Sequence, residues 1–379
     1  MPVYLDHNAT TPLSSEVLDA MMPYMTGLYG NPSSVHRFGR VTRDALEQAR
    51  MQVANLVGAQ PKEVVFTSGG TEANNLAISG GLAYSSPSGF AISATEHASI
   101  VAPAKLMGEQ GWQLNTIAVN SQGVVEHDAL HAAISETTQL VSVMAANNET
   151  GVLQDIPALV NAAKAVKADV IFHSDACQAA GKLAIDFAGS KLDLMSLSSH
   201  KIYGPLGAGA LVVKSHVDLA PLIVGGGQER QRRSGTENLV ALVGFGAAAE
   251  LAAKVLERRQ AHVLDLQTQL IARLKDLRGI TLFSQGVPCL PNTLMFSVAG
   301  IDGEMLLMQL DRKGFAVSSG SACDSGRTEP SHVLLAMGVK PETAKGAIRV
   351  SFGEQNTSDE VLQLVESVEE INQQFNPVA

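Results

Sequence analysis

Lys201 stands where an apolar run, residues 194–197, gives way to Ser198, Ser199 and His200 and then to a loop punctuated by Gly204, Gly207 and Gly209. An ammonium at the mouth of a buried strand is costly unless something there needs an amine, and glycines let a backbone pass close to a ligand. Upstream, the run VIFHSDACQAAGK delivers His173, Asp175 and Gln178 from the end of another apolar segment. A carboxylate, an amide and a lysine on neighbouring strand ends suit pyridoxal phosphate. That cofactor needs a partner for its pyridine nitrogen, one for its ring oxygen and a Schiff-base amine. Asp175, Gln178 and Lys201 are expected in those roles. Taken alone, Lys201 would read as a solvated loop lysine and Asp175 as the cap of a turn.

Further groups carry chemistry. Ser68, Gly69, Gly70 and Thr71 follow the strand-like EVVFT and open a helical stretch. Free N–H groups and the positive end of the helix dipole then face outward together, which makes a cup for a phosphate. Neither GxxxxGK[ST] nor GxGxxG occurs, so no P-loop or dinucleotide fingerprint competes with that reading. His97 reads as a helix-start histidine whose ring also suits stacking on a cofactor face and moving protons near neutral pH. Cys323 lies among small polar residues in SSGSACDSG, the setting of an exposed loop, and thiol reactivity follows access and thiolate character. Cys177 and Cys289 sit in or beside apolar runs and read as core residues. Arg349, inside AIRVSFG, is a charge in a buried-looking strand; a substrate carboxylate gripped by its guanidinium is the expected partner.

Holding these residues takes a regular scaffold. Strand-like runs at 63–67, 90–93, 113–119, 139–145, 170–174 and 194–197 alternate with helical patterns, among them 39–57, a helix after His97, 128–134 and 157–166. In the 39–57 helix, Val41, Ala45, Leu46, Ala49, Val53 and Leu56 are expected on one buried face. The rhythm predicts an α/β fold, a mostly parallel mixed sheet between helices. Ligands of such sheets bind outside the carboxyl ends of the strands. Thr95-Glu96-His97, the Asn147-Asn148 pair, Asp175 with Gln178, and Ser198 to Lys201 all fall there. The opening YLDHNATT is too polar for a core strand and reads as an arm turning at Asn8. Beyond a glycine-rich loop, in which Arg230, Arg232 and Arg233 are expected to be solvated, a long helical stretch spans 236–277. The domain boundary is expected within it, near Arg258-Arg259: a large domain of residues 15–258, and a smaller α+β domain of 1–14 with 259–379.

Composition narrows the function class. The 379 residues are 45% apolar and 17% charged, enough for a large core. A net charge of −10 argues against a nucleic-acid surface. The first residues lack the basic start and apolar core of a secretory signal, and the apolar run 239–249 falls short of the roughly 20 residues of a membrane span. Three cysteines without CxxC spacing fit a reducing cytoplasm and offer neither a disulfide framework nor a cysteine metal site.

The chain resembles the cysteine desulfurases of the NifS/IscS type, within the class-V aminotransferases of fold-type I. The resemblance runs through YLDHNATTP, TSGGTEAN, ATEH, NNETG, DACQ, SSHKIYGPLGAG, RSGTEN, SSGSAC and IRVSFG, and so covers essentially the whole sequence. It implies a homodimer that converts L-cysteine to L-alanine with pyridoxal 5'-phosphate and passes the sulfur on as a persulfide of Cys323. Lys201 would form the Schiff base and His97 would stack on the ring. Gly70, Thr71, Ser198 and His200 would hold the phosphate, with Thr236 from the second subunit, and Asn148, Asn31 and Arg349 would take the substrate carboxylate. The sulfur acceptor is left open between an iron–sulfur scaffold and a thiolation protein. Against that pattern, the sequence is expected to lack the tail by which iron–sulfur members dock their scaffold, and Asp324 and Arg327 add charge to the loop after Cys323. A selenocysteine lyase or another class-V aminotransferase would share Lys201 and Asp175. A non-catalytic sulfur-relay scaffold would have no need of them.

Overall fold

A computed structural model describes residues 2–319 and 329–376. The chain opens with β1 (Val3–Tyr4), then α1 (Ser15–Thr26) and α2 (Arg37–Leu56). Alternation follows as expected: β2 (Val64–Thr67), α3 (Gly70–Asn75), β3 (Gly89–Ser93), α4 (Ala98–Glu109), β4 (Gln113–Ile117), α5 (His127–Ala133), β5 (Thr138–Ser142), α6 (Ile156–Val166) and β6 (Ile171–Asp175). Then β7 (Leu194–Ser198) and β8 (Gly209–Val213) complete a seven-stranded sheet in the order β2-β8-β7-β6-β5-β3-β4. Strands β7, β6, β5, β3 and β4 run parallel, while β8 is antiparallel to both of its neighbours. β2, β3, β7 and β8 are buried at every residue because helices cover both faces, which is why they read as largely apolar runs.

Except at its first position, helix α2 turns inward the face the sequence suggested, with Ala45 and Leu56 half-buried, and it widens that face to two polar residues. Val41 is exposed, whereas Thr42, Leu46, Ala49, Arg50 and Val53 are buried. The helix is phased on α7 and on Arg50, whose guanidinium holds both carboxylate oxygens of Glu229 at 2.7 Å. The arginine-rich loop is therefore not simply solvated: Glu229 also accepts from Phe66 N, and Arg233 pairs with Glu72 at 2.8 Å.

Helix α7 (Leu239–Leu274) runs 36 residues, about 54 Å at 1.5 Å per residue. Its length and apolar composition match a membrane span, which the short run 239–249 did not suggest. Here the apolar positions serve two cores. Ala241, Leu242, Phe245, Ala248, Ala249 and Ala252 pack beneath the large sheet, and Val263, Leu266, Leu270 and Leu274 pack against a second, smaller one. That second unit holds β9 (Ile280–Leu282), β10 (Thr293–Val298), α8 (Gly303–Arg312), β11 (Phe315–Ala316), β12 (Ser318–Ser319), α9 (His332–Ala336), α10 (Pro341–Lys345), β13 (Ala347–Ser351) and α11 (Ser358–Phe375). Its sheet runs β12-β13-β10-β9, all antiparallel, and β11 pairs in parallel with β1. The opening arm is thus sewn into this unit, with Leu5, His7, Asn8 and Thr11 all buried. The turn expected at Asn8 is there, over residues 7–9, and what the sequence did not show is that the arm is buried.

Candidate active site

The polar ends of β3, β5, β6 and β7 lie on one edge of the sheet, where Gly70 starts α3. β6 and β7 end side by side, Asp175 opposite Ser196. From Ser198 the chain makes a tight turn at residues 199–201 and returns as β8, so Lys201 rides on the loop of a hairpin. Gly207 has φ +77°. A Cβ on Gly209 would stand 2.5 Å from the Gly69 carbonyl carbon, and one on Gly204 would strike Ser199. Gly204 and Gly209 serve the chain's own crossings, while Gly207 supplies the turn.

A cavity of about 460 Å³ opens over the strand ends. It gathers Gly70, Thr71, His97, Asn148, Asp175, Gln178, Ser198, His200, Lys201 and Arg349, ten of the expected residues. Asn31 and Thr236 are exposed and stand outside it. Cys323 lies outside the described residues.

Each wall has a cause. Asp175 accepts from Asn74 Nδ2 at 2.7 Å and from Cys177 N at 2.9 Å. Asn74 reaches on to Ser99 Oγ, which lies 2.8 Å from His97 Nδ1. His97 caps α4, as its plainer reading held, and still lines the cavity. Burial lowers its pKa, with Asp175 pulling the other way. His200 sits 3.1 Å from Thr10 Oγ1 and is pushed down to about 4, by burial first and by Lys201 second. Ser198 Oγ is buried with no partner among the described residues. Cys177, expected in the core, is buried but also lines the cavity, and burial raises its thiol well above the ordinary value. Cys289 is raised to about 11 by the same cause.

The arm supplies what the sequence reading missed. The Asn8 carbonyl accepts from Lys201 Nζ at 2.6 Å and from Gln178 Nε2 at 2.9 Å, and the Ala9 carbonyl accepts from Lys201 at 2.7 Å. Lys182 Nζ donates at 2.7 Å to both Asn8 Oδ1 and Gln178 Oε1. Arg349, whose partner was expected to be a substrate, already holds Asp6 at 2.5 Å and the Asn148 carbonyl at 2.9 Å, while its buried Nε has no partner among the described residues. Asn8 and Asp6 were visible only as letters of an N-terminal motif. Lys182 gave no signal beyond standing four residues after Gln178.

The lining fits pyridoxal phosphate. The volume lies within the ~300–1,000 Å³ of cofactor pockets, a carboxylate faces a lysine across it, and Gln178 offers an amide donor. The orphaned Ser198 hydroxyl sits beside Gly70, where a Cβ would come 2.7 Å from Cys177 Sγ and 3.5 Å from Ser198 Cβ. The Ser198 hydroxyl and the Gly70 backbone at the start of α3 together offer donors of the kind a phosphate needs.

Residues 3–364 match the family described as aminotransferase class-V. A cysteine desulfurase IscS of Dictyoglomus turgidum is 40% identical over 380 residues, covering 100% of this chain and 96% of that protein. Among solved structures, a NifS-like protein superposes with a TM-score of 0.92 at 35% identity, over 98% of this chain and 99% of that one. SspA in complex with cysteine superposes with a TM-score of 0.81 at 31% identity, over 94% and 100%.

Proposed function

The chain belongs to the class-V aminotransferase family and is a pyridoxal-phosphate-dependent cysteine desulfurase, and from that premise we propose which residues carry the reaction and where the sulfur goes. The observation that carries the assignment is the meeting of Lys201, Asp175, Gln178 and His97 in one cavity over the strand ends. Lys201 is the Schiff-base amine, Asp175 faces the pyridine nitrogen and Gln178 the ring oxygen. Gly70, Thr71, Ser198 and His200 hold the phosphate. Asn148 lies beside the ring and, with Arg349 and Asn31, takes the carboxylate of L-cysteine.

When bound, the cofactor supplies an electron sink for the charge that develops at the substrate Cα. Lys201 takes the proton from Cα and returns one to product. His97, whose pKa burial lowers, accepts a proton from the incoming substrate. The Cys323 thiolate attacks the substrate sulfur: an S–S bond forms, the substrate C–S bond breaks, and its electron pair stays with carbon, which is protonated to give alanine. The high pKa values of Cys177 and Cys289 leave neither disposed to compete as a thiolate. The persulfide then passes to an acceptor protein, an iron–sulfur scaffold or a thiolation protein. A reducing cytoplasm is the compartment that keeps the Cys323 thiol free for the next turnover.

A homodimer completes the site. Thr236 and Asn31 stand outside the cavity of their own chain on loops rich in exposed apolar side chains. Tyr29 and Val35 flank Asn31, and Val224 adjoins Ile223, whose carbonyl accepts from Ser234 N. Thr236 reaches the phosphate of the other copy. The domain division at Arg258-Arg259, residues 15–258 against 1–14 with 259–379, is supported by α7, which leaves one core after Ala252 and enters the next at Val263.

The test separates the two halves of the chemistry. Cys323→Ser is expected to keep its bound cofactor, to become labelled on Lys201 by borohydride, and to change its visible spectrum when cysteine is added. Alanine release should fall by about a thousandfold, because a serine hydroxyl is scarcely ionised near neutral pH. Normal turnover by that variant, or a label on another lysine, would overturn the reading.

A further inference from the structure

Gln178 can serve the ring oxygen in only one of its two amide orientations. Its Nε2 donates and its Oε1 accepts, so a flip would set a lone pair against an oxygen. One neighbour decides between them. Lys182 carries three donors and no acceptor, and its Nζ lies 2.7 Å from Gln178 Oε1 and 2.7 Å from Asn8 Oδ1. An ammonium can face only the oxygen edge of the amide. The nitrogen edge therefore points the other way, where Gln178 Nε2 and Lys201 Nζ converge on the same Asn8 carbonyl at 2.9 and 2.6 Å. That carbonyl marks the Lys201 side of the amide, and one N–H of Gln178 remains beyond the bond it makes there.

We propose that Lys182 is a positioning residue for the cofactor: by clamping Gln178 Oε1 it fixes the amide with its NH₂ turned to the ring oxygen beside Lys201. The assignment rests on the role given to Gln178 above. A lysine is a demanding choice for the task. Both of its partners are neutral amide oxygens; burial together with Lys201 and Arg349 pushes its pKa well below the ordinary value, while those two oxygens, which can only accept, hold it as a donor at 2.7 Å. A residue serving only to fill space would not carry that desolvation cost. The cost has a return in geometry, because only a pure donor excludes the wrong orientation.

A hydrogen bond donated to the ring oxygen favours its ionised form, and so moves the pH at which the visible band of the bound cofactor titrates. The experiment follows that band by absorbance across pH, and measures cofactor affinity by fluorescence, in the wild type, Lys182→Met, Lys182→Gln, Lys182→Arg and Gln178→Ala. Lys182→Met keeps the stem and removes the donor. Its midpoint is expected to rise by about one pH unit, the size of one hydrogen bond, with affinity weakened several-fold. Lys182→Arg, again a pure donor, should restore most of both. Lys182→Gln can donate or accept and should fall between; it also provides the answer should the methionine variant not fold. Gln178→Ala should shift the midpoint in the same direction as Lys182→Met. If Gln178→Ala shifts the band while neither Lys182→Met nor Lys182→Gln does, the positioning role is overturned and the role of Gln178 stands. If Gln178→Ala leaves the band unmoved, the reading of Gln178 falls, and the role of Lys182 with it.

Discussion

Among single residues, Asp6 has the most exposed consequences. Its carboxylate lies 2.5 Å from Arg349 Nη2 and lines the same cavity. A substrate carboxylate bound to Arg349 must share or displace it. Asp6→Asn removes the competing charge, so KM for cysteine is expected to fall about fivefold, close to 1 kcal/mol, with kcat little changed. Steady-state kinetics decide it; a KM that rises would mean that Asp6 instead holds the guanidinium ready. Lys201, Asp175, Gln178 and His97 were legible in the sequence because each stands where an apolar run meets polar residues, the one place a parallel sheet binds ligands. Asp6, Asn8 and Lys182 were not. They act through contacts such as Lys182 to Asn8, 174 positions apart, which no local pattern encodes.

At the level of elements, periodicity recovered nearly all of the large sheet and its helices, and missed the polar residues that neighbours add to a buried face. α2 is the clear case: a buried Arg50 reads as surface until Glu229 is brought to it. The same helix meets α7 at close range. A Cβ on Gly246 would stand 2.6 Å from Ala49 Cα, whereas one on Gly108, inside α4, would meet nothing within 4 Å. Alanine ordinarily gains about 1 kcal/mol over glycine in a helix interior, and a forced contact costs about 1–3 kcal/mol. Gly108→Ala is therefore expected to stabilise by about 0.5–1 kcal/mol and Gly246→Ala to destabilise by about 1–2 kcal/mol, read from urea unfolding. Equal gains for both would mean that α2 and α7 part freely. The short β1, β11 and β12, two residues each, were beyond any periodicity.

For the molecule as a whole, pH is the sharper probe. His7 and His173 are buried, and desolvation lowers each from 6.5 to about 4. Between those values the unfolded chain binds a proton at each histidine that the folded chain does not. Stability is then fully present above pH 6.5 and is lost toward pH 4, at about 1.4 kcal/mol per pH unit for each histidine. Urea midpoints at fixed protein and cofactor concentration should fall over that window, less steeply in His173→Gln; a flat profile would contradict the burial of these rings. A last consequence concerns the order of assembly. The carbonyls that receive Lys201 belong to residues 8 and 9, and Asn8 is held by the Ser351 hydroxyl, 343 positions away, and by Thr293. A chain made from its first residue onward exposes that arm at once, yet its anchors at Thr293 and Ser351 do not exist until β10 and β13 have left the ribosome. The large sheet can form early from neighbouring βα units, but contacts of such separation close late. The cradle of Lys201 is thus among the last parts of the protein to exist, and a cofactor that depends on it is captured by the finished chain, not by the nascent one.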